Sequence, residues 1–303
     1  MIGSIIGDIL GSRFEMKRPP LSKSFDFFSK RTCFTDDTVL TLATAYALMN
    51  EIPYADAYLE FYNRYPNSGY GSAFKKWALA GGKEPYVSYG NGSAMRVSPV
   101  AYFFDSEEEV LEAAENSAKV THNHNEGIRG AKAIALATYW SRKCGDKQYI
   151  MDKVISVTGY EEIKSMDKLW TGEFSSSCQI TVPQALSAYY NGDSYESVIR
   201  NAIMFGGNAD TLASMAGAIA GDFYTIPREF YIRCFPYLDG FLFDVMNQFA
   251  SEYMRVTFSY VEPVKNIVAK EKTNDIDDGL VDMFKKKKSD HEELEAFDNI
   301  LTI

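Results

Sequence analysis

The chain has 303 residues, 46% hydrophobic and 24% charged, enough for one large domain or two ordinary ones. A net charge of −10 argues against broad nucleic-acid binding, which needs a basic face to displace counterions. The apolar runs fall short of the roughly 20 residues that span a bilayer, Asp8 interrupts the first of them where a signal peptide would stay apolar, and the scattered Cys33, Cys144, Cys178 and Cys234 form neither a disulfide framework nor a zinc pattern. Four free thiols in a reducing cytoplasm, with no membrane partner, are therefore expected.

The segment Gly7-Asp8-Ile9-Leu10-Gly11 reads as part of a buried helix that tolerates two glycines. Glu15 falls at its end, before Pro19-Pro20, where a loop begins. A carboxylate on a mobile loop could serve as a catalytic base or gate. Next comes Phe34-Thr35-Asp36-Asp37-Thr38, ahead of Val39 to Met49, whose apolar residues recur in helical register. This motif has two readings. Thr or Asp before an apolar run caps a helix. Alternatively, adjacent carboxylates at an irregular helix start can turn toward one point, as mid-helix neighbours cannot, and the positive helix end keeps them ionised.

Tyr54 to Tyr65 adds an aromatic stripe that reads as core. In Ser88-Tyr89-Gly90-Asn91-Gly92-Ser93-Ala94-Met95-Arg96, the glycines flanking Asn91 allow backbone N–H groups to converge as an anion nest. A helix after it would favour a phosphate at its N-terminus. The Gly-Lys-Ser/Thr ending of a P-loop is missing. Val110 to Val120 and Ile128 to Trp140 repeat the helical pattern. Between them lies Thr121-His122-Asn123-His124-Asn125, read as a substrate contact or a cap for the next helix. Carboxylates and hydroxyls dominate the other motifs, which suits magnesium or manganese rather than zinc.

Val198 to Phe205 is helical, and Gly206-Gly207-Asn208-Ala209-Asp210-Thr211 follows as a tight turn. It is either a well-capped helix start or a second set of oxygen ligands. Two such motifs in one chain favour a hard divalent cation. In Leu212 to Tyr224 the small residues Ala213, Gly217 and Gly221 recur every four positions, a face that lets a neighbouring backbone approach. Alternating strand patterns are nearly absent. Residues 1–264 are expected to form one all-α domain. Residues 265–303 are charged, with Lys285 to Lys288 as a run, and read as a tail or added helix. Asp275 to Gly279 is no calcium loop, because Ile276 stands where an oxygen ligand is required.

Taken together, the segments around Glu15, Thr35–Asp37, Ser88–Ser93, His122 and Asn208–Thr211 resemble, in order, the motifs of the ADP-ribosylglycohydrolase family, which includes the dinitrogenase reductase-activating glycohydrolases. The resemblance runs from residue 2 to about residue 228. It implies a compact all-α, single-domain bundle with two divalent ions, Mg2+ or Mn2+. By motif, Thr35, Asp36, Asp37, Asp210 and Thr211 would be metal ligands. Glu15 matches the family's flap glutamate and, with Asp36, would serve catalysis. Ser88, Tyr89, Gly90, Asn91, Gly92 and Ser93 match the loop that holds the diphosphate and adenosine of ADP-ribose, and His122 matches the substrate-side histidine. Asn208 stands where the family pattern has Asp. It offers an oxygen without charge, so one metal site should be weakened. The implied activity is hydrolytic release of ADP-ribose from a modified arginine, serine or related conjugate, on a protein or a small molecule. The alternative is a catalytically weak ADP-ribose binder, or a protein that neutralises a transferase by contact.

Overall fold

Five helices predicted from apolar residues at Val39, Val110, Ile128, Val198 and Leu212 begin, in the computed structural model, at Asp36, Glu107, Asn125, Tyr195 and Ala209. Each starts one turn early. The N–H groups of a first turn have no partner within the helix, so polar residues that bond them replace the apolar pattern there. Thr35 accepts from the Asp37 amide, His124 from Glu126, and Ser106 and Ser194 form reciprocal capping boxes with Glu109 and Ser197.

The structure describes residues 1–161, 165–169 and 174–259, together with the backbone of 301–302. The fold is predominantly helical, and two compact units divide at Cys234 and Phe235. The first unit opens with α1 (Ile2–Ser12), α2 (Asp36–Met49), α3 (Tyr54–Arg64) and α4 (Ser72–Leu79). The short α5 (Gly92–Met95) and α6 (Val100–Phe103) precede α7 (Glu107–Lys119), α8 (Asn125–Lys143) and α9 (Lys147–Thr158). The unit closes with α10 (Met166–Leu169), α11 (Cys178–Tyr190), α12 (Tyr195–Met204), α13 (Ala209–Phe223) and α14 (Arg228–Cys234).

Helices α1 and α13 form its centre. Both are buried along nearly their whole length, and their backbones touch. A Cβ at Gly3 would overlap the Gly217 carbonyl oxygen, and one at Gly7 the Ala213 carbonyl oxygen; at Gly11 it would stand 2.6 Å from Asp210 Cα. Ser4 Oγ and Ser214 Oγ share a hydrogen bond of 2.8 Å across the seam, and Tyr195 Oη donates to the Gly3 carbonyl at 2.7 Å. Helices α8, α11 and α12 pack around α13, and α2 lies against α1. This close approach places the end of α1, the start of α2 and the start of α13 side by side.

The second unit contains a 3-10 turn (Phe235–Tyr237), α15 (Gly240–Phe249) and a π-helical turn (Ala250–Met254). Asp239 caps α15 by accepting from the Leu242 amide at 3.0 Å. Thr257–Phe258 pairs antiparallel with Leu301–Thr302. Apart from that backbone pair, the charged segment 265–303, with Asp275–Gly279, Lys285–Lys288 and His291, lies outside the described residues. Among the described residues no helix is long and apolar enough to cross a membrane, and the four cysteines are free.

Candidate metal centre and ligand loop

The junction of α1, α2 and α13 gathers three buried carboxylates. One oxygen each from Asp8, Asp37 and Asp210 lies within 4.8 Å of the others. Asp8 is tied down most heavily. Its Oδ2 accepts from the amides of Thr35 (2.9 Å) and Thr38 (3.1 Å) and from Thr38 Oγ1 (2.5 Å), while Oδ1 accepts from Thr35 Oγ1 at 2.7 Å. It therefore locks the first turn of α2 onto α1. Asp37 is held on one side only. Thr211 Oγ1 donates to its Oδ2 at 3.0 Å, and Oδ1 is buried with no partner. Asp210 Oδ1 accepts from the Thr211 amide at 2.8 Å.

The charges of this cluster are uncompensated. Burial, then Asp8 and Asp210, pushes Asp37 well above the usual carboxylate range. Burial, then Glu15 and Asp8, does the same to Asp210. Asp8 rises to about 6 through burial, opposed by its four hydrogen bonds. Removal from water acts first in each case, and like charge adds to it at Asp37 and Asp210. A divalent cation would relieve both effects. The orphaned Asp37 oxygen, the all-oxygen donor set and the mutual repulsion fit a hard cation.

The other predicted ligands surround this triad. Thr35 Oγ1 donates to Asp8, and Thr211 Oγ1 donates to Asp37. Asp36 is half-buried and lies outside the triad. A Cβ on Gly69 would stand 3.3 Å from its Oδ1. Burial first, then Asp8, pushes Asp36 up to about 8. Asn208 is buried at the head of α13 but makes no capping bond, so its side chain serves no helix end. Glu15 is exposed on the turn after α1, its carboxyl raised by desolvation, and it is the foremost charge acting on Asp210. That turn is stitched to the loop before α13: the Met16 amide donates to the Gly207 carbonyl at 2.6 Å, and the Gly207 amide to the Lys17 carbonyl at 3.0 Å. Gly206 and Gly207 both adopt positive φ, 70° and 64°, to make this turn.

Asp8 is the residue that sequence reasoning missed. It served there only as an interruption of an apolar run. A lone carboxylate inside Ile2 to Leu10 was the available signal, because a buried charge needs bonding partners.

The Ser88–Ser93 segment forms a separate ledge. The Gly90 amide donates to Ser88 Oγ at 3.0 Å and the Asn91 amide to the Ser176 carbonyl at 2.7 Å, so these two are already engaged and do not form a free nest. Ser93 Oγ donates to the Gly127 carbonyl at 2.7 Å. The following helix, α5, is a single turn. Tyr89 is exposed, its ring 5.7 Å from that of His124. His124 caps α8, accepting from the Glu126 amide at 3.1 Å. His122 is buried behind the loop: a Cβ at Gly92 would stand 3.2 Å from its Nε2. Burial, then the nearby Arg96 charge, holds this imidazole well below the ordinary histidine range, so it is neutral.

Fold and site together define an all-α protein whose buried oxygen cluster suits a hard cation, with a glycine-rich ledge as a second feature. The chain belongs to the ADP-ribosylglycohydrolase family, whose model matches residues 1–257. It is similar to ADP-ribosylhydrolase ARH3 of Bos taurus, with 22% identity covering 77% of this chain and 87% of that protein. It is also similar to ADP-ribosylarginine hydrolase Tri1 of Pseudomonas putida (strain GB-1), with 24% identity over 75% of this chain and 70% of that one. Among solved structures, an ADP-ribosylglycohydrolase-related protein complex superposes with a TM-score of 0.61 at 22% identity, covering 76% of this chain and 89% of the other. At that identity the likeness speaks for the fold.

Proposed function

We propose that the protein is a divalent-cation-dependent hydrolase that releases ADP-ribose from a modified arginine or serine side chain, or from a related ADP-ribosyl conjugate. The observation that carries this reading is the buried, unpartnered Asp37 Oδ1 beside Asp8 and Asp210. Family membership supports the reaction class. Thr35, Asp36, Asp37, Asp210 and Thr211, with the amide oxygen of Asn208, would hold two ions, Mg2+ or Mn2+. When bound, such ions supply Lewis acidity to ribose hydroxyls and to water.

The chain's own residues do the rest. Departure of the leaving group builds positive charge at the anomeric carbon, and the ionised carboxylates of the cluster stabilise it electrostatically. Glu15, on the exposed turn facing Asp210, holds or passes the proton, with Asp36 as its alternate. Desolvation raises the carboxyl of Glu15, which favours its holding a proton. Ser88 to Ser93 and His122 bind the diphosphate and adenosine end and orient the bond for cleavage. The proposal includes a catalytic domain over residues 1–264 and a cytoplasmic location, the latter resting on four free thiols.

The test is release of free ADP-ribose from ADP-ribosyl-arginine and ADP-ribosyl-serine peptides with magnesium, with manganese and with chelator. Cation-dependent release from one peptide is expected and names the linkage. Asn208 favours a second reading, a weakly catalytic ADP-ribose-binding protein, because one acidic ligand is replaced by an amide. That reading expects calorimetric binding of ADP-ribose with no release under any of the three conditions.

A further inference from the structure

The stretch that leads from the end of α1 to α2 differs in charge from the rest of the chain. Arg13, Lys17, Arg18, Lys23, Lys30 and Arg31 stand there against Glu15 and Asp26 alone. Residues 13–31 therefore carry +4 within a chain of −10, and the remainder carries −14. Elsewhere Arg64, Arg129, Arg200 and Arg233 each find a carboxylate. Among the described residues none of the six cations of this stretch does. The side chains of Arg18, Lys30 and Arg31 are exposed and make no hydrogen bond among the described residues.

The cations are held in place and held together. Arg13 Nη1 donates to the carbonyls of Asp26 and Phe28, both at 2.9 Å. Arg200 Nη1 donates to those of Lys23 and Phe25 at 2.7 and 2.8 Å. Residues 29–32 form a turn: the Thr32 amide donates to the Ser29 carbonyl at 3.0 Å and the Ser29 amide to Thr32 Oγ1 at 2.9 Å. Lys30 and Arg31 occupy its tip. The Cys33 amide donates to Ser12 Oγ at 3.1 Å, which lays this turn along the end of α1. Lys17 Nζ donates to the Arg13 carbonyl there. Desolvation first, then the charges of Arg31 and Arg13, lowers the Lys17 ammonium, so like charges meet without an anion between them. The same place adjoins the carboxylate cluster: Asp8, Asp210 and Glu15 all act on the Cys33 thiol. Two apolar side chains complete the surface, Met16 at 68% and Leu21 at 107% exposure.

We propose that this loop is a docking surface for an acidic protein segment, whose carboxylates meet Arg18, Lys30 and Arg31 and whose apolar side chains cover Met16 and Leu21. This deepens, and rests on, the functional reading above, because the segment is the one that carries the modified side chain to Glu15. Fixed cations without counter-charges attract and orient an anionic partner. Nucleic acid fits less well: it needs a long basic track, and beyond this loop the chain is strongly negative. Met16 and Leu21 give an acidic peptide a further contact that a phosphate backbone cannot use.

The test uses two fluorescent peptides that differ only in having aspartates or asparagines on both sides of a central residue. By anisotropy at low salt, wild type is expected to bind the aspartate peptide about tenfold more tightly, a preference that shrinks to about twofold near 0.5 M NaCl. Lys30→Glu combined with Arg31→Glu should abolish the preference, and Arg18→Glu alone should reduce it about threefold. These residues are exposed, so both variants should melt with wild type and keep the calorimetric Kd for ADP-ribose within about twofold. With the central residue ADP-ribosylated through whichever linkage is cleaved, the aspartate peptide should show a KM about tenfold lower at similar kcat. Equal binding of the two peptides, a preference that survives charge reversal, equal KM values, or loss of ADP-ribose affinity as large as the loss of peptide affinity would each overturn the proposal. So would tighter binding of a single-stranded oligonucleotide of the same charge, which would assign the surface to nucleic acid. Anisotropy with unmodified peptides needs no turnover, so it decides the surface even if no ADP-ribose is released, a failure that would instead remove the functional reading.

Discussion

Two buried regions flank the site, and they resolve the same electrostatic problem in opposite ways. At the junction of α1, α2 and α13, three carboxylates, Asp8, Asp37 and Asp210, crowd together. Behind the Ser88–Ser93 ledge, Arg96 is buried with no carboxylate paired to it among the described residues. A carboxylate can escape burial by taking up a proton, and the triad is pushed in that direction. An arginine has no such escape, so Arg96 is held by a carbonyl, a hydroxyl and an aromatic face. The acidic region is therefore adjustable and suits a cation. The basic region is permanent and organises its neighbours.

The largest expected effect breaks the acidic side. Asp37→Asn or Asp210→Asn should lower cation-dependent release of ADP-ribose by about 100-fold or more. The same variants should melt at a higher temperature than wild type in chelator, because one of three repelling charges is gone. Full turnover in either would remove the metal assignment. Next comes Gly7→Ala, whose methyl would overlap the Ala213 carbonyl. Forcing α1 from α13 should cost about 1–3 kcal/mol in denaturant unfolding and weaken manganese binding. Gly145→Ala, where a Cβ meets nothing within 4 Å, should leave both unchanged.

A third experiment sharpens the contrast through pH. Carboxyls raised in the fold bind protons that the unfolded chain has released. The cation-free protein should therefore lose stability as pH rises from the ordinary carboxyl value of 3.8 through about 6 for Asp8 and about 8 for Asp36. Added magnesium or manganese should raise the melting temperature more at pH 8 than at pH 5, since the ions compete with those protons. Asn208→Asp should tighten cation binding by about tenfold through the added ligand charge. The smallest effect belongs to the basic side. His122 refuses a proton that the unfolded chain accepts below the ordinary histidine value of 6.5, so stability is lost progressively as pH falls below that value. His122→Gln should flatten that acid limb in a thermal-denaturation series.

The all-α class was legible in the sequence because apolar periodicity survives in the middle of each helix. The first turns were not, since the capping residues Thr35, Ser106, His124 and Ser194 and the polar residues after them replace the pattern there. The small-residue face of Leu212 to Tyr224 was read as a close backbone approach, and the seam with α1 is that approach. Its partner could not be named, because no local pattern says which distant helix carries the matching glycines. The same limit hid Asp8. Its role depends on Thr35 and Thr38, almost thirty positions on, and on α13 beyond two hundred. Arg96 was legible only as the end of a motif; its bonds to Ser117 and Thr121 exist only once α5 lies against α7.

The seam also sets a schedule. Ser4 and Ser214, which meet across it, are 210 positions apart. Helix α1, with Ile5, Ile6, Ile9 and Leu10 fully buried in the finished fold, is synthesised long before α13. A growing chain therefore carries an apolar helix with a bare glycine face and no matching surface until its last third emerges. Contacts this remote in sequence form slowly, and exposed apolar surface in the interval invites association with other chains or with chaperones. The carboxylate cluster is thus a late assembly step. A translation product halted before Ala209 would contain Asp8 and Asp37 but no place for a cation to hold them together.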